Sequence, residues 1–405
     1  MRFEPILALG ATASATNLFV ADYSGNITTL SLSESNGNYS LTKTSASDGC
    51  APNPAWLTID PGRGLLYCTN EGLSRPNGSL ASFSINADGS LDSIVNLTTA
   101  NGPVSAAIYG NPSASERGLV LAHYSGSAVT TYKVSSTGNV TLNEEFFFTI
   151  PSPGPDPDRQ DAPHPHEAFV DPTGQYILLP DLGADLVRIF SFDVETLKLT
   201  ELDPLEAEPG SGPRHLAFWT PYNTPGGTTY LYLVGELSAT VTGYAVQYST
   251  NGTGLSFEDI GYLRTTGLFN VPQRVAPAEI QVSPDNRFLI VSNRNDTTFT
   301  LPNAIGKSDS LATFPLGQDG NLTALHQLWP AGGNFPRHFE TNAAGNLVAV
   351  GLQNDQAVAI LRRDVVTGLI GEPIARIEIG GNVTTVVWDE APRSGVAGVT
   401  GLAGY

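Results

Sequence analysis

Six histidines are spread over 405 residues, and four of them fall in short runs with another reactive side chain. His164-Pro165-His166 carries two imidazoles, and Arg214-His215 and Arg337-His338 each pair one with a guanidinium. Glu71, Asp181, Glu236, Glu279 and Arg294 stand at the edges of apolar runs. A neutral imidazole takes a proton from water near neutral pH. A guanidinium holds a carboxylate or a developing oxyanion. A carboxylate orients either one, or in its acid form protonates a departing oxygen. Each residue also has a plainer reading, as an ion pair that locks neighbouring elements together. The H-x-H pair is a weak metal signal, and clustered arginines repel a cation, so no metal or other cofactor is expected. His123 and His326 read as ordinary.

What gathers these residues is a repeated hairpin. Ala168-Phe169-Val170 and Tyr176-Ile177-Leu178-Leu179 are apolar runs of strand length, and Asp171-Pro172-Thr173-Gly174 between them has turn chemistry. Antiparallel pairing places the start of the first strand and the end of the second together, away from the turn. Copies start near Ala55, Val104, Arg214, Ala278 and Arg337, at spacings of roughly 45 to 65 residues, as in propeller blades. Leu18 to Gly25 reads as a second strand without its first, and Val383 to Asp389 as a first strand without its second. Joining them completes a seventh blade and closes the ring. The expected fold is an all-β, seven-bladed β-propeller, with a β-sandwich pair or a β-helix as the alternatives.

A shared chain direction puts every first-strand start and second-strand end on one face. First strands lie nearest the axis of a propeller, so His164, His166, Arg214, His215, Glu279, Arg337 and His338 should line its mouth. Glu71, Tyr124, Asp181, Glu236, Arg294 and Gln353 should follow from the second strands. Strand alternation would turn His215 and His338 between blades. The turn ends carry only ordinary turn residues, and reactive groups commonly sit on loops held by a rigid scaffold.

The remaining composition sets limits. A net charge of −19 excludes the basic footprint that nucleic acid requires. No apolar run approaches the length of a membrane span. Residues 1–15 read as a short signal peptide, with Arg2, an apolar Ile6 to Ala11, and a cleavage site at Ala13-Ser14-Ala15. The single propeller domain then runs over 16–405. N-glycosylation sequons stand at Asn26, Asn38, Asn77, Asn96, Asn139, Asn251, Asn295, Asn321 and Asn382. Cys50 and Cys68 fall near the same end of one hairpin, where a disulfide is expected in an oxidising compartment. The chain is therefore expected to be secreted and monomeric.

The motifs His164-Pro165-His166, Leu179-Pro180-Asp181-Leu182-Gly183-Ala184-Asp185, Gly212-Pro213-Arg214-His215, Gly235-Glu236-Leu237, Ala278-Glu279-Ile280, Ser292-Asn293-Arg294 and Phe335-Pro336-Arg337-His338 resemble those of the seven-bladed propeller lactonases. That family includes propeller-type 6-phosphogluconolactonases, the fungal carboxy-cis,cis-muconate cyclase and fungal extracellular aldonolactonases. The resemblance covers essentially the whole chain after the leader. It implies an active site of His166, Arg214, Glu236 and Arg294. By their place at the mouth, His164, Glu279, Arg337, Asp181 and Glu71 are the candidate substrate-binding residues, with Glu279, Asp181 and Glu71 also read as structural partners. The insertion Pro221 to Thr229 falls on the far turn side. For a secreted member the implied substrate is a sugar lactone of the glucono or cellobiono type. The alternatives are a muconate-type cycloisomerase, which runs related chemistry in reverse, and a non-enzymatic propeller that binds a partner at its mouth.

Overall fold

The computed structural model describes residues 15–221, 227–249, 254–267, 274–302 and 306–390. These form seven four-stranded antiparallel sheets and one small extra hairpin, with no helix. Each sheet is one blade. Its innermost strand is the first strand of the predicted hairpin: β4 (Pro54–Asp60), β8 (Pro103–Tyr109), β12 (Phe169–Val170), β16 (Pro213–Trp219), β20 (Ala276–Val282) and β26 (Pro336–Thr341). In the remaining blade, β30 (Val383–Asp389) pairs with β1 (Ala15–Asp22), in register from Asn17 opposite Asp389. The first and last described strands thus share one sheet, which closes the ring.

The turns follow from local chemistry. Asp171 accepts the backbone N–H groups of Thr173, Gln175 and Tyr176 at 2.9, 2.9 and 2.7 Å. This nest fixes the turn before the second strand begins.

The core is divided as a ring requires. Seven buried apolar clusters each span one blade interface. The closing interface packs Leu18, Val20 and Trp388 on Leu347, Ala349 and Ile360. Polar side chains staple the inner strands of neighbouring blades. Glu167 accepts the Leu216 N–H at 2.7 Å, and Glu340 accepts the Trp388 N–H at 2.6 Å. Cys50 and Cys68 are joined in a disulfide beside the β4–β5 hairpin (β5, Leu65–Asn70).

One local feature departs from simple alternation. Five inner strands carry a proline near their start, and the register shifts immediately after it: Pro54/Trp56, Pro103/Ser105, Pro213/Leu216, Pro277/Ile280 and Pro336/His338. Proline lacks the N–H that a regular ladder needs, and the unpaired residue beside it forms a bulge. Arg214, His215, Glu279 and Arg337 all lie in or next to these bulges.

Candidate active site

The site is built around one buried carboxylate. Glu236 follows the last residue of β17 (Thr229–Gly235), and its N–H donates to the Gly212 carbonyl at 2.8 Å. Three guanidiniums from three blade elements converge on it. Arg214 Nε and Arg294 Nη2 lie 3.0 and 2.7 Å from Oε2, and Arg159 Nη2 lies 2.6 Å from Oε1. Burial would raise the Glu236 carboxyl, but Arg294, Arg214 and Arg159 override it and hold it at about 2. Arg214 is almost fully buried. Burial, with Arg294 beside it, lowers its guanidinium to about 9. Backbone carbonyls fix the two inner arginines: Ala278 O accepts Arg214 Nη1 at 2.6 Å, and Ala276 O accepts Arg294 Nε at 2.9 Å.

His166 borders a narrow axial gap together with Trp56, Val104, Arg214, His215, Arg337 and Thr384. Its backbone N–H donates to Pro180 O at 2.9 Å, which anchors it beside the end of β13 (Tyr176–Asp181). Its Nδ1 lies 3.2 Å from His215 Nε2. Burial and the guanidiniums of Arg214, Arg337 and Arg294 hold its imidazole well below the ordinary range, so the ring is neutral. No hydrogen bond engages Nε2 among the described residues. The arrangement therefore sets a neutral base beside fixed positive charge. That combination suits deprotonation of a water while an oxyanion forms nearby.

The rim residues divide by what they touch. His164 stacks on Tyr124 with ring centroids 4.3 Å apart, and its Nε2 lies 3.0 Å from Asp161. Arg337 Nη1 donates to Tyr23 Oη at 2.7 Å, and Tyr23 in turn donates to Glu71. Burial raises the Tyr23 hydroxyl to about 12, which keeps it a donor. Asp181 is fully buried and accepts His164 N and Arg188 Nε at 2.6 and 2.9 Å, so it holds the hairpin end. Glu279 lies deeper, 3.1 Å from His215 Nδ1 and 3.5 Å from His338 Nε2. The Pro213 bulge turns His215 inward rather than between blades, and Trp56 meets both imidazoles edge-on, at 5.6 and 5.0 Å between centroids.

His166, Arg214, Glu236, Arg294 and Arg337 thus come together at one mouth. Arg159 and Tyr124 join them: Arg159 comes from the Pro-rich loop that the hairpin pattern passes over. Glu167, His215 and Glu279 present three ligand atoms within 4.8 Å of one another and could hold a metal ion. Arg214 acts on all three of these groups, and its charge opposes a cation there.

Comparison with known proteins meets this geometry at the level of the whole chain. The family described as "Lactonase, 7-bladed beta-propeller" matches residues 11–388. The chain belongs to that family. It is a lactone hydrolase. A protein of Arthroderma benhamiae named "Probable 6-phosphogluconolactonase" is 30% identical over 384 residues, covering 93% of this chain and 91% of that one. The 6-phosphogluconolactonase of Formosa agariphila is 27% identical, over 82% of this chain and 87% of its own. Among solved structures, the periplasmic gluconolactonase PpgL of Pseudomonas aeruginosa superposes with a TM-score of 0.75 at 24% identity, covering 94% of this chain and 100% of that chain. At that identity the likeness concerns the fold. The lactonase assignment leaves no place for the non-enzymatic alternative.

Proposed function

We propose that this lactonase is secreted, acts as a monomer, and hydrolyses unphosphorylated aldonolactones of the glucono and cellobiono type. The observation that carries the reading is the neutral His166, with Nε2 unengaged, which shares a narrow axial gap with Arg214 and Arg337 and feels the charge of Arg294. In the proposed reaction the lactone carbonyl lies against the arginines. His166 takes a proton from water, and the new hydroxide bonds to the carbonyl carbon. Charge builds on the carbonyl oxygen, where the guanidiniums stabilise it. When the intermediate collapses, the ring C–O bond breaks and the ring oxygen regains a proton from His166. Glu236, saturated by three arginines, positions them rather than moving protons.

Location supports the choice of substrate. Asn38, Asn77, Asn96, Asn139, Asn295, Asn321 and Asn382 are exposed and Asn26 is half-buried; Asn251 lies outside the described residues. The expected leader also lies outside them, except for Ala15 at the start of β1. Exposed sequons and a disulfide fit an oxidising, extracytoplasmic setting, as does the name of the periplasmic gluconolactonase relative. Phosphorylated sugar lactones are intracellular metabolites that a secreted enzyme would not meet. The test is hydrolysis of glucono-δ-lactone, cellobiono-δ-lactone and 6-phosphogluconolactone at mildly acidic pH, with and without chelator. The expected result is a chelator-insensitive rate well above the spontaneous one on the first two, with a lower kcat/KM on the phosphorylated substrate. A rate equal to the spontaneous one on all three would overturn the assignment. Glycan removal and N-terminal sequencing of protein recovered from medium test the location.

A further inference from the structure

Behind His166 the axis holds a line of buried groups that the hydrolysis described above leaves idle. His166 Nδ1 meets His215 Nε2 at 3.2 Å, and His215 Nδ1 faces Glu279 Oε2 at 3.1 Å. Glu279 Oε1 accepts the Ile280 N–H at 3.1 Å, so the line ends there. All three residues are less than 9% exposed. Neither His215 Nδ1 nor Glu279 Oε2 makes a hydrogen bond among the described residues, so the two face each other at this distance with their polar capacity unused. Two bulges assemble the line, one at Pro213 and one at Pro277.

We propose that Glu279, acting through His215, fixes the tautomer of His166 and stores the proton taken from the attacking water; the proposal rests on the lactonase reading. An ionised carboxylate only accepts, so His215 carries its hydrogen on Nδ1. Its Nε2 then accepts from His166 Nδ1–H, which leaves the lone pair of His166 on Nε2, the atom free to meet water. When water gives its proton to His166 Nε2, the Nδ1 proton passes to His215 Nε2. The His215 Nδ1 proton passes in turn to Glu279 Oε2. The hydroxide forms the bond to carbon, and the carboxylate becomes a carboxylic acid. Collapse of the intermediate reverses the shift and returns one proton to the ring oxygen. The hydroxy acid then ionises into solvent.

The surroundings explain why the proton goes that far. An imidazolium at His166 would be buried among Arg214, Arg337 and Arg294, whereas a protonated Glu279 is neutral. Around Glu279 stand His215, His338, Glu167, Arg214 and Glu340. Burial holds its carboxyl up at about 8 despite Arg214. The line therefore accepts a proton only in the molecules whose Glu279 is ionised, and kcat should rise as pH rises toward that value. His215 and Glu279 are positioning residues, and of the three only His166 meets the reacting atoms.

The test compares wild type, Glu279→Gln and Glu279→Asp on glucono-δ-lactone, together with imidazole ¹⁵N shifts of the full chain. In wild type above about pH 8, where Glu279 is ionised, His166 and His215 should both be neutral and Nδ1-protonated. Glu279→Gln should lower kcat by about 100-fold with KM changed by less than about threefold, and should flatten the pH dependence of kcat. Glu279→Asp should recover part of the loss. A His215 protonated on Nε2 in wild type would overturn the proposal whatever the activity. So would a Glu279→Gln variant with unchanged kcat and pH profile. Activity lost to chelator and restored by zinc would also overturn it, because Glu167, His215 and Glu279 would then be metal ligands. If wild type hydrolyses no lactone, the shifts still report the tautomers, so failure of the substrate reading is separable.

Discussion

Glu236 shows how one buried carboxylate can gather the charges of a site. Its carboxylate is taken up by Arg214, Arg294 and Arg159, so removing its charge strands three guanidiniums, two of them deeply buried. Glu236→Gln should therefore cost about 3–5 kcal/mol of stability in urea unfolding, because uncompensated buried charges are expensive. Arg159→Ala provides the contrast. Its side chain is 36% exposed, so its loss should cost about 1 kcal/mol or less. The same substitution should raise KM several-fold with kcat nearly kept, because Arg159 stands at the rim beside Tyr124. A larger stability loss for Arg159→Ala than for Glu236→Gln would refute this division of labour. The difference in legibility between the two is physical. Glu236 ends a strand in a repeated hairpin, so its place could be read from residue order. Arg159 sits in an irregular Pro-rich loop, and nothing local marks where such a loop carries a side chain.

Hairpins are the elements that the residue order reveals, because a strand, a turn and a strand each leave a local signal. Asp171 and Gly174 do so at one turn, and the bonds to Asp171 show why. The bulges left a fainter trace. A single extra residue does not disturb a mixed polar and apolar run, so simple alternation turns His215 away from the axis. The proline near the start of five inner strands is the available clue, and the missing N–H is its mechanism. The bulge at β16 also depends on the residue before it. Gly212 has φ +62°, and an added Cβ would lie 2.4 Å from Leu237 Cγ. Its carbonyl receives Glu236 N–H, and its N–H donates to Asp185 Oδ1 at 2.9 Å. Gly212→Ala should thus shift Arg214 and Glu236 together. The expected loss is about 1–3 kcal/mol in stability, with a fall in kcat/KM that exceeds what the unfolded fraction explains. An unchanged Tm and kcat/KM would show that the turn tolerates a side chain.

At the scale of the whole ring, pH acts on the buried histidines and on Glu236 in separate windows, while the raised carboxyls of Glu279 and Asp296, at about 8 and about 7, add stability as pH falls through those values. His123 is fully buried between Asn101 O at 3.1 Å and Thr130 Oγ1 at 2.8 Å. The carbonyl only accepts, so Nδ1 donates, while the Thr130 hydroxyl can meet Nε2 as donor or acceptor. Burial lowers its pKa to about 4, and His338 is lowered by burial and Arg214 to about 3. His166 and His215 shift the same way. For such groups the unfolded chain binds the extra proton first. Their stabilising contribution is whole above about pH 6.5 and drains away as pH falls toward the folded value. His123 alone should lose about 3 kcal/mol between pH 6.5 and 4. Glu236 behaves with the opposite charge in a lower window. Its carboxyl is depressed to about 2, so its contribution is whole above about pH 4.5 and is lost below it. Titration of the many surface acids toward the isoelectric point near 4.5 relieves net repulsion and works against the histidine loss. Equilibrium unfolding from pH 7.5 to 3 separates these terms. His123→Gln should be less stable than wild type at pH 7, with a visibly shallower fall between pH 6.5 and 4. Glu236→Gln should keep the wild-type slope there and flatten only below pH 4.5. If His123→Gln falls as steeply as wild type, the buried imidazole is not what couples this ring to acid.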